Sequence, residues 1–566
     1  MYRSVEGKVK VLIVIREKIV SLVSTALNSA QDAGEIPHFV SPEITIEHPQ
    51  RIEHGDFSIN LPLRIQGLAK MKAIDVANIL QKHIEPYSAI EKIEVAHPGF
   101  LNFYLEETWV CDQITSIVNA GDYFAFSDIG NGTNVQIEYV SANPTGPIHV
   151  GNGRGAAIGS TLANVMDFLG FNVQQEYYVN DAGTQVSIFG RTLYARYAEL
   201  FGKQIQIPDN GYPGAYIIEL AKNIQEQYGD AFLELVDNEP NPELGKIGID
   251  LQLTNIKDDL SAIGVDYDSW FSEQSLMVKG GAYDTSLKLL MDAKLVLKRE
   301  GAIWFNSSDL GESKDNVLIR SDGQPTYYAT DIAYHYDKFL VRKFDRVIDI
   351  WGADHQGHVS RVKTALQTVG GDPDSLDVLL YQLVNLRRGD EIVPLSKRAG
   401  EIVTLRNVID EVGADAARFF FLSSSANQTM DFDLELAKSQ SDENPVYYVQ
   451  YAHARISSIL VKAEEDSLFK SNPKLSLLNH PSEQLLIRKL LLLPEILENV
   501  IADLAPHHLP HYSKDLATAF HSFYTQCRVI SEDKELTAAR LILLQASQIV
   551  LAKTLGLMGI SAPRKM

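Results

Sequence analysis

Fourteen residues, Ser141-Ala-Asn-Pro-Thr-Gly-Pro-Ile-His-Val-Gly-Asn-Gly-Arg154, hold the densest set of groups in this chain that could handle a charged ligand. They follow a strand-like run, Val135 to Val140. They precede a helical pattern with apolar residues at Ile158, Leu162, Val165, Met166 and Leu169. A loop in that position turns free backbone N–H groups and the positive end of a helix dipole toward an anion such as phosphate. Gly151, Gly153 and Gly155 would let the backbone approach a ligand closely. Two chemistries fit. Gly151-Asn-Gly-Arg-Gly-Ala156 matches the relaxed form of a dinucleotide fingerprint, with Glu176 as the carboxylate for a ribose, and would suit a nicotinamide or flavin oxidoreductase. The second starts from Asn143, Pro144, Pro147 and His149, which make the loop present polar side chains as well as backbone.

The elements that must position this loop follow from periodicity. From Val135 onward, strands and helices alternate as in a parallel sheet with helical crossovers. The helix after the loop stops at Gly170, Val173 to Val179 is the next strand, and strand patterning returns at Val347 to Trp351. The stretch from about 191 to 322, with acidic helices and proline-rich loops, is expected as one insertion into this α/β unit. Before it, helical spacing from Ile15 to Ala26 and over Ala69 to Ile84 predicts a small α+β domain. Its strands lie at Ile44 to Glu47, Ile93 to Val95 and Leu101 to Leu105. A Gly-containing stretch from Ser127 to Asn134 reads as its linker. Beyond about Asp431, strand patterns give way to long helical ones, the pattern of a bundle.

Composition sets outer limits. The 566 residues suggest several domains at roughly 150 residues each. The 51 basic and 73 acidic side chains leave a net charge of −22, which argues against a protein that coats nucleic acid through bulk charge. Cys111 and Cys527 lie too far apart in sequence to form a metal knuckle, and the compartment is expected to be the reduced cytoplasm. The apolar run Val11 to Ile15 is too short to span a bilayer, so no membrane is expected.

The string around His149 decides between the two chemistries. His149-Val-Gly-Asn152 resembles the "HIGH" motif of class I aminoacyl-tRNA synthetases, and Glu138-Tyr-Val-Ser-Ala-Asn-Pro-Thr-Gly-Pro-Ile-His-Val-Gly151 closely resembles the arginyl-tRNA synthetases. Further strings match that family in order. They are Tyr178-Val-Asn-Asp-Ala-Gly-Thr-Gln185, Thr326-Tyr-Tyr-Ala-Thr-Asp-Ile-Ala333 and Trp351-Gly-Ala-Asp-His-Gln-Gly-His358. Pro394-Leu-Ser-Lys-Arg-Ala-Gly400 stands where the mobile "KMSKS" loop belongs, and Gly413-Ala-Asp-Ala-Ala-Arg-Phe419 resembles the "DALR" element.

The resemblance implies a class I synthetase of α/β class, with a Rossmann-type doubly wound parallel sheet. It implies an N-terminal α+β tRNA-binding domain over 1–110 and a catalytic domain over 130–400. A connecting element at 401–430 and a C-terminal all-α helical bundle over 431–566 that takes the anticodon complete the chain. It implies ATP, L-arginine and tRNA(Arg) as substrates, Mg²⁺ with the ATP, no tightly bound metal, and a monomer. It carries ATP binding and catalysis to His149, Gly151, Asn152, His355, His358 and Lys397. Guanidinium recognition falls to Glu138, Tyr327 and Asp331, where fixed carboxylates suit a planar cation. Contacts to the amino-acid end fall to Asn143, with Ser141 nearby. Phe100 and Asn102, within Pro98-Gly-Phe-Leu-Asn-Phe103, are expected to stack on and read unpaired bases of the tRNA corner. Tyr447 to Tyr451 are aromatic candidates on the bundle.

Two departures bear on the chemistry. Asn152 ends the HIGH-like motif where the pattern has His, and Pro394 stands where the first lysine of the other loop belongs. Arg387, Arg388 and Arg398 are the cations nearest Lys397 in sequence and are expected to supply the missing charge.

Overall fold

The computed structural model describes residues 11–49, 51–394, 402–470 and 472–566. Helix α1 (Val11–Asp32) buries Ile15, Ile19, Leu22, Val23 and Ala26 on one face, as a 3.6-residue period requires. Strands β1 (Ile46–Glu47) and β2 (Phe57–Ile59) follow. The single helix expected over 69–84 is instead two, α2 (Leu61–Ala69) and α3 (Ala73–His83). Lys70, in the left-handed region at φ 55°, caps the first, and extended Lys72 opens the second. Strands β3 (Ile90–Ala96) and β4 (Phe100–Leu105) complete an antiparallel sheet in the order β1-β2-β4-β3. Helix α4 (Glu107–Ala120) already belongs elsewhere. Its Cys111 thiol lies 3.1 Å from Gln484 Nε2 in the C-terminal bundle, so the first domain closes at Leu105.

The central region runs β5 (Asn134–Tyr139), α5 (Val150–Phe168), β6 (Asn172–Val179), α6 (Thr184–Glu199), α7 (Ala215–Tyr228), α8 (Pro242–Ala262) and β7 (Ser269–Ser272). Strand β7 pairs in parallel with β6. The stretch expected as one insertion is therefore two excursions separated by a return to the main sheet. A four-residue strand gives too short a pattern to read. It is held by its aromatics, Trp270 stacked on Tyr177 at 4.4 Å and Phe271 on Tyr178 at 6.1 Å. The second excursion carries α9 (Ala282–Asp292) and an antiparallel sheet of β8 (Val296–Arg299), β9 (Ala302–Phe305) and β10 (Asn316–Ile319). Then α10 (Tyr327–Tyr336), β11 (Arg346–Gly352), α11 (Val359–Thr368) and β12 (Leu376–Tyr381) complete a five-stranded, wholly parallel sheet ordered β12-β11-β5-β6-β7.

A small third sheet joins this region to the rest: β13 (Val384–Arg388), β14 (Glu391–Val393) and, beyond α12 (Leu405–Val412) and α13 (Ala414–Leu422), β15 (Met430–Asp433). The short α14 (Leu434–Lys438) leads into the bundle α15 (Pro445–Glu465), α16 (Pro481–Leu491), α17 (Leu493–Ala502), α18 (His508–Gln526) and α19 (Lys534–Leu557). Helix α19 is long and apolar enough to span a bilayer, but Leu541, Leu544, Leu551 and Leu555 are buried in the bundle.

Two fully buried arginines weld these regions, and among the described residues neither has a carboxylate partner. Arg154, on α5, donates to the carbonyls of Gln382, Ser424, Ser425 and Gln428 at 2.7–3.4 Å. Arg418, on α13, donates to the carbonyls of Ile263, Gly264 and Met558 and to Ser160 Oγ. Those carbonyls close α8 and α19, whose negative dipole ends favour a cation. Gly559 is required beside it, since a Cβ there would sit 2.7 Å from the guanidinium. Arg418→Leu orphans several buried carbonyls at once. It is expected to cost about 3 kcal/mol or more and to lower the thermal unfolding midpoint by several degrees, measured by scanning calorimetry.

Candidate active site

Three carboxylates stand level on three neighbouring parallel strands. Glu138 on β5 is the Cα partner of Asp349 on β11 and of Glu176 on β6, and all three are buried. Helix α10 and the π-helical turn after it (Asp337–Val341) bring the compensating groups. Lys338 Nζ, with 0% exposure, lies 2.6 Å from Glu138 Oε2 and 2.7 Å from Asp349 Oδ1. His335 Nε2 lies 2.8 Å from Asp349 Oδ2. Arg342 donates to both oxygens of Glu176, at 2.6 and 3.0 Å, and the Tyr334 hydroxyl donates to Oε1 at 2.5 Å. Burial opposes every charge here. Lys338 nonetheless keeps its proton more firmly than usual because Asp349, Glu138 and Glu176 surround it, and Asp349 is drawn down to about 2 by Lys338 and His335. Burial, with the Asp349 charge, pushes Glu138 up while Lys338 pulls it back.

Tyr327, Asp331, His335 and Lys338 form one stripe along α10, from Tyr327 at the mouth (47% exposed) to Lys338 at the floor. Midway, Asp331 Oδ2 lies 2.6 Å from His358 Nε2, so two residues expected in different roles are hydrogen-bonded to each other. His355 stands at the surface, 3.6 Å from Asp354. Glu138, expected to face a ligand, is already engaged on both oxygens, by Lys338 and by Ser141 Oγ at 2.9 Å. It keeps spare lone pairs.

The structure adds a residue that the sequence reading missed. Glu273 follows β7 directly and is buried beside Thr330, Tyr178 and Asp331. With its amide turned to donate, Asn180 Nδ2 lies 2.8 Å from Glu273 Oε2. Burial, reinforced by Asp331 and Asp181 and opposed by the Thr330 hydroxyl, pushes its carboxyl up to about 7. The signal that could have found it is its place at the carboxyl end of a parallel strand, where open α/β sheets bind ligands. Its strand was hidden in the presumed insertion.

The loop after β5 begins with two residues in the left-handed region, Val140 (φ 70°) and Ser141 (φ 40°). For a β-branched valine this conformation is strained, on the order of 1–3 kcal/mol. Neighbours enforce it. Tyr178 N donates to Ser141 Oγ at 3.1 Å, Tyr177 OH to Ala142 O at 2.7 Å, and Tyr216 OH on α7 to Thr145 O at 2.6 Å. Asn143 is left exposed. His149 caps α5, its Nδ1 accepting from Gly151 N at 3.0 Å. That bond puts the proton of the neutral ring on Nε2, and burial holds the ring below the usual histidine range. His149 is therefore a neutral N–H donor. Asn152 lies against the buried Tyr381 hydroxyl. Gly153 and Gly155 do not serve a ligand, because a Cβ on them would meet Leu405 at 2.6 Å and the Tyr381 ring at 3.0 Å. Only Gly151 of the three faces outward, against His149.

Lys397 and Arg398 lie outside the described residues. The segment that follows them is tied to the His149 loop: Val150 N donates to Val403 O at 3.2 Å and Leu405 N to Ile148 O at 2.8 Å. The expectation for Arg387 and Arg388 is corrected. Arg387 pairs with Asp431 on β15 at 3.1 Å, and Arg388 with Glu411 on α12 and Glu435 on α14 at 2.7 and 2.6 Å, so both charges are balanced by neighbouring carboxylates. Asn102, expected to read bases, is 5% exposed, with Oδ1 accepting from Ser58 Oγ at 2.8 Å. Phe100 is half-buried at the strand end. On the bundle, Tyr447 stacks on Tyr451 and Tyr451 on His521, each at 6.1 Å, with Arg455 over Tyr451 and Tyr524.

Glu273 predicts a pH signature of the free protein. A carboxyl raised above its unfolded value supports folding while protonated and loses that support as pH rises through about 7. Glu273→Gln is therefore expected to gain stability relative to the parent between pH 5.5 and 8, by up to about 2 kcal/mol, read from thermal midpoints at the two pH values.

Family models match the chain in three consecutive blocks. Residues 17–105 match an arginyl-tRNA synthetase N-terminal domain, 113–433 a class I tRNA synthetase (R) catalytic domain, and 449–566 a DALR anticodon binding domain. The arginine–tRNA ligase of Dehalococcoides mccartyi is 51% identical over 555 residues, covering 98% of this chain and 100% of that protein. That of Carboxydothermus hydrogenoformans is 46% identical over 524 residues, covering 92% and 94%. The solved arginyl-tRNA synthetase of Thermus thermophilus shares the fold, with a TM-score of 0.76 at 21% identity over 97% of this chain and 100% of that one. In sequence and in fold, the chain belongs to the arginyl-tRNA synthetases, a class I family.

Proposed function

We propose that the pocket between β5, β7 and α10 takes the guanidinium of L-arginine, with Glu273 and Asp331 as its principal carboxylates, Glu138 behind them and Tyr327 at the mouth. As a member of this family the chain is a ligase that joins arginine to tRNA at the expense of ATP. The observation that carries the pocket assignment is that Glu273 behind β7, Asp331 on α10 and Glu138 near the end of β5 lie together, and among the described residues only Glu138 has an ammonium partner. A planar cation with five donors is the side chain that satisfies the rest.

Activation needs no nucleophile from the protein. The arginine carboxylate attacks the α-phosphate of ATP, forming arginyl-adenylate and releasing pyrophosphate; a hydroxyl of the 3′-terminal ribose of tRNA(Arg) then attacks the arginyl carbonyl, forming the ester and releasing AMP. What the chain supplies is position and charge. His149 offers Nε2–H to a phosphate oxygen at the N-terminus of α5, where the helix dipole favours the same charge. Gly151 leaves room for the nucleotide. Asn152 donates where the usual motif has a histidine, and Asn143 and Ser141 lie toward the amino-acid end. Lys397 supplies a cation for the departing pyrophosphate. ATP enters as its Mg²⁺ complex, the ion carried by the phosphates; among the described residues no cluster of three His, Cys, Asp or Glu is arranged to hold one. The stacked tyrosines and Arg455 on the bundle suit unpaired anticodon bases, and Phe100 suits the tRNA corner. We take the working form as a cytoplasmic monomer, as the family resemblance implies.

The test is charging of total tRNA with ATP, Mg²⁺ and each of the twenty amino acids separately. Arginine alone should be accepted, and Asp331→Asn should raise the arginine KM at least tenfold with a smaller effect on the ATP KM. Acceptance of another amino acid, or an unchanged KM, would overturn the pocket assignment. Arg387→Ala and Arg388→Ala should each leave turnover within about twofold, since their charges are balanced elsewhere, whereas Lys397→Ala should lower it by roughly two orders of magnitude.

A further inference from the structure

Lys338 is given no contact with substrate in the reading above, yet with Asp349 and Glu176 it is a fully buried charge beside the pocket. It sits about two turns beyond Asp331 on the same helical stripe. Its two ion pairs, 2.6 Å to Glu138 and 2.7 Å to Asp349, join carboxylates that the strand register places side by side. Two adjacent buried anions repel, and each would gain by taking up a proton or turning away. The ammonium also lies 4.1 Å above the Tyr334 ring, which fixes its height over the sheet. Ser141 Oγ, at the start of the strained loop, holds the other oxygen of Glu138. The carboxylate is thus clamped from both sides with its remaining lone pairs left toward the pocket.

We propose that Lys338 is a positioning residue for amino-acid recognition: wedged between Glu138 and Asp349, its ammonium holds the Glu138 carboxylate in place for the incoming guanidinium. This rests on the pocket assignment above and deepens it. Lys338 does not touch the substrate. It acts through Glu138, and it opposes the proton uptake that burial favours there. Burial and the Asp349 charge push the Glu138 carboxyl up, and Lys338 is the group that pulls it back.

The test compares the charge-compensated double variant Lys338→Met/Asp349→Asn with Glu138→Gln, Asp331→Asn and the combination of all three floor changes. The double variant removes one charge of each sign, so the net charge of the floor is unchanged while Glu138 loses its clamp. Expected are an arginine KM raised roughly ten- to a hundredfold, an ATP KM and kcat within about threefold of the parent, and a thermal midpoint close to it. Adding Glu138→Gln to the double variant should raise the arginine KM no further, because both act through one carboxylate. A purely structural role would give additive effects, or a kcat loss without a KM shift, and would overturn the inference. So would an unchanged arginine KM in the double variant while Glu138→Gln and Asp331→Asn raise it. If those two single variants leave the KM unchanged, the pocket assignment itself falls. Lys338→Gln, which keeps a donor but no charge, gives the same comparison should the double variant fail to fold, with an intermediate rise expected.

Discussion

Placing Asp349, Glu138 and Glu176 level with one another on adjacent parallel strands, all three buried, is the arrangement to which much of the centre of this molecule answers. Three anions at strand spacing, about 5 Å apart, cannot stay ionised in a low-dielectric interior without cations between them. Lys338 and Arg342 are those cations, His335 and Tyr334 add donors, and all four come from α10 and the turn after it. The helix is consequently fixed over the sheet in both rotation and height. With it are fixed Asp331 and Tyr327, one and two turns toward the mouth, which makes the pocket's entrance a consequence of its floor.

The loop after β5 is positioned by different forces. Val140 and Ser141 are held in the left-handed region by the Tyr178 amide and the Tyr177 hydroxyl of β6 and by Glu138, so the start of the signature loop is coupled to the same floor. Its end is fixed by the His149 cap and by backbone pairing to residues 403 and 405. Glycines that look as though they serve a phosphate serve packing instead. Gly153 and Gly155 let α5 lie against Leu405 and Tyr381, which brings the helix N-terminus to the sheet's edge. The bundle is attached by Arg418 and the small third sheet by Arg154. In both, a guanidinium collects carbonyls that would otherwise be orphaned where elements end, at the cost of burying a charge without a counter-ion. Burial accordingly lowers both from the usual arginine range, to about 10.

The sequence alone determined what depends on local strings. His149 before a glycine-rich helix start, the ordered motifs around Asp331 and His358, and the alternation of strand and helix are all read within a dozen residues, because cap, turn and period are short-range. From them come the family, the parallel sheet, the helical end of the chain and most of the site residues. Tertiary structure alone decided whatever depends on strand register and helix rotation. Strand β7 is four residues held by stacked aromatics, so Glu273 behind it could not be placed. Asn102 and the pair Arg387 and Arg388 had suitable chemistry in suitable strings, but one is interior and the others face carboxylates far from them in sequence, on β15, α12 and α14. Lys338 reads locally as an ordinary charge at a helix end. It becomes a buried cation only because β5 and β11 align Glu138 with Asp349, and alignment between strands more than two hundred residues apart is set by the packing of the whole sheet rather than by any neighbouring residue.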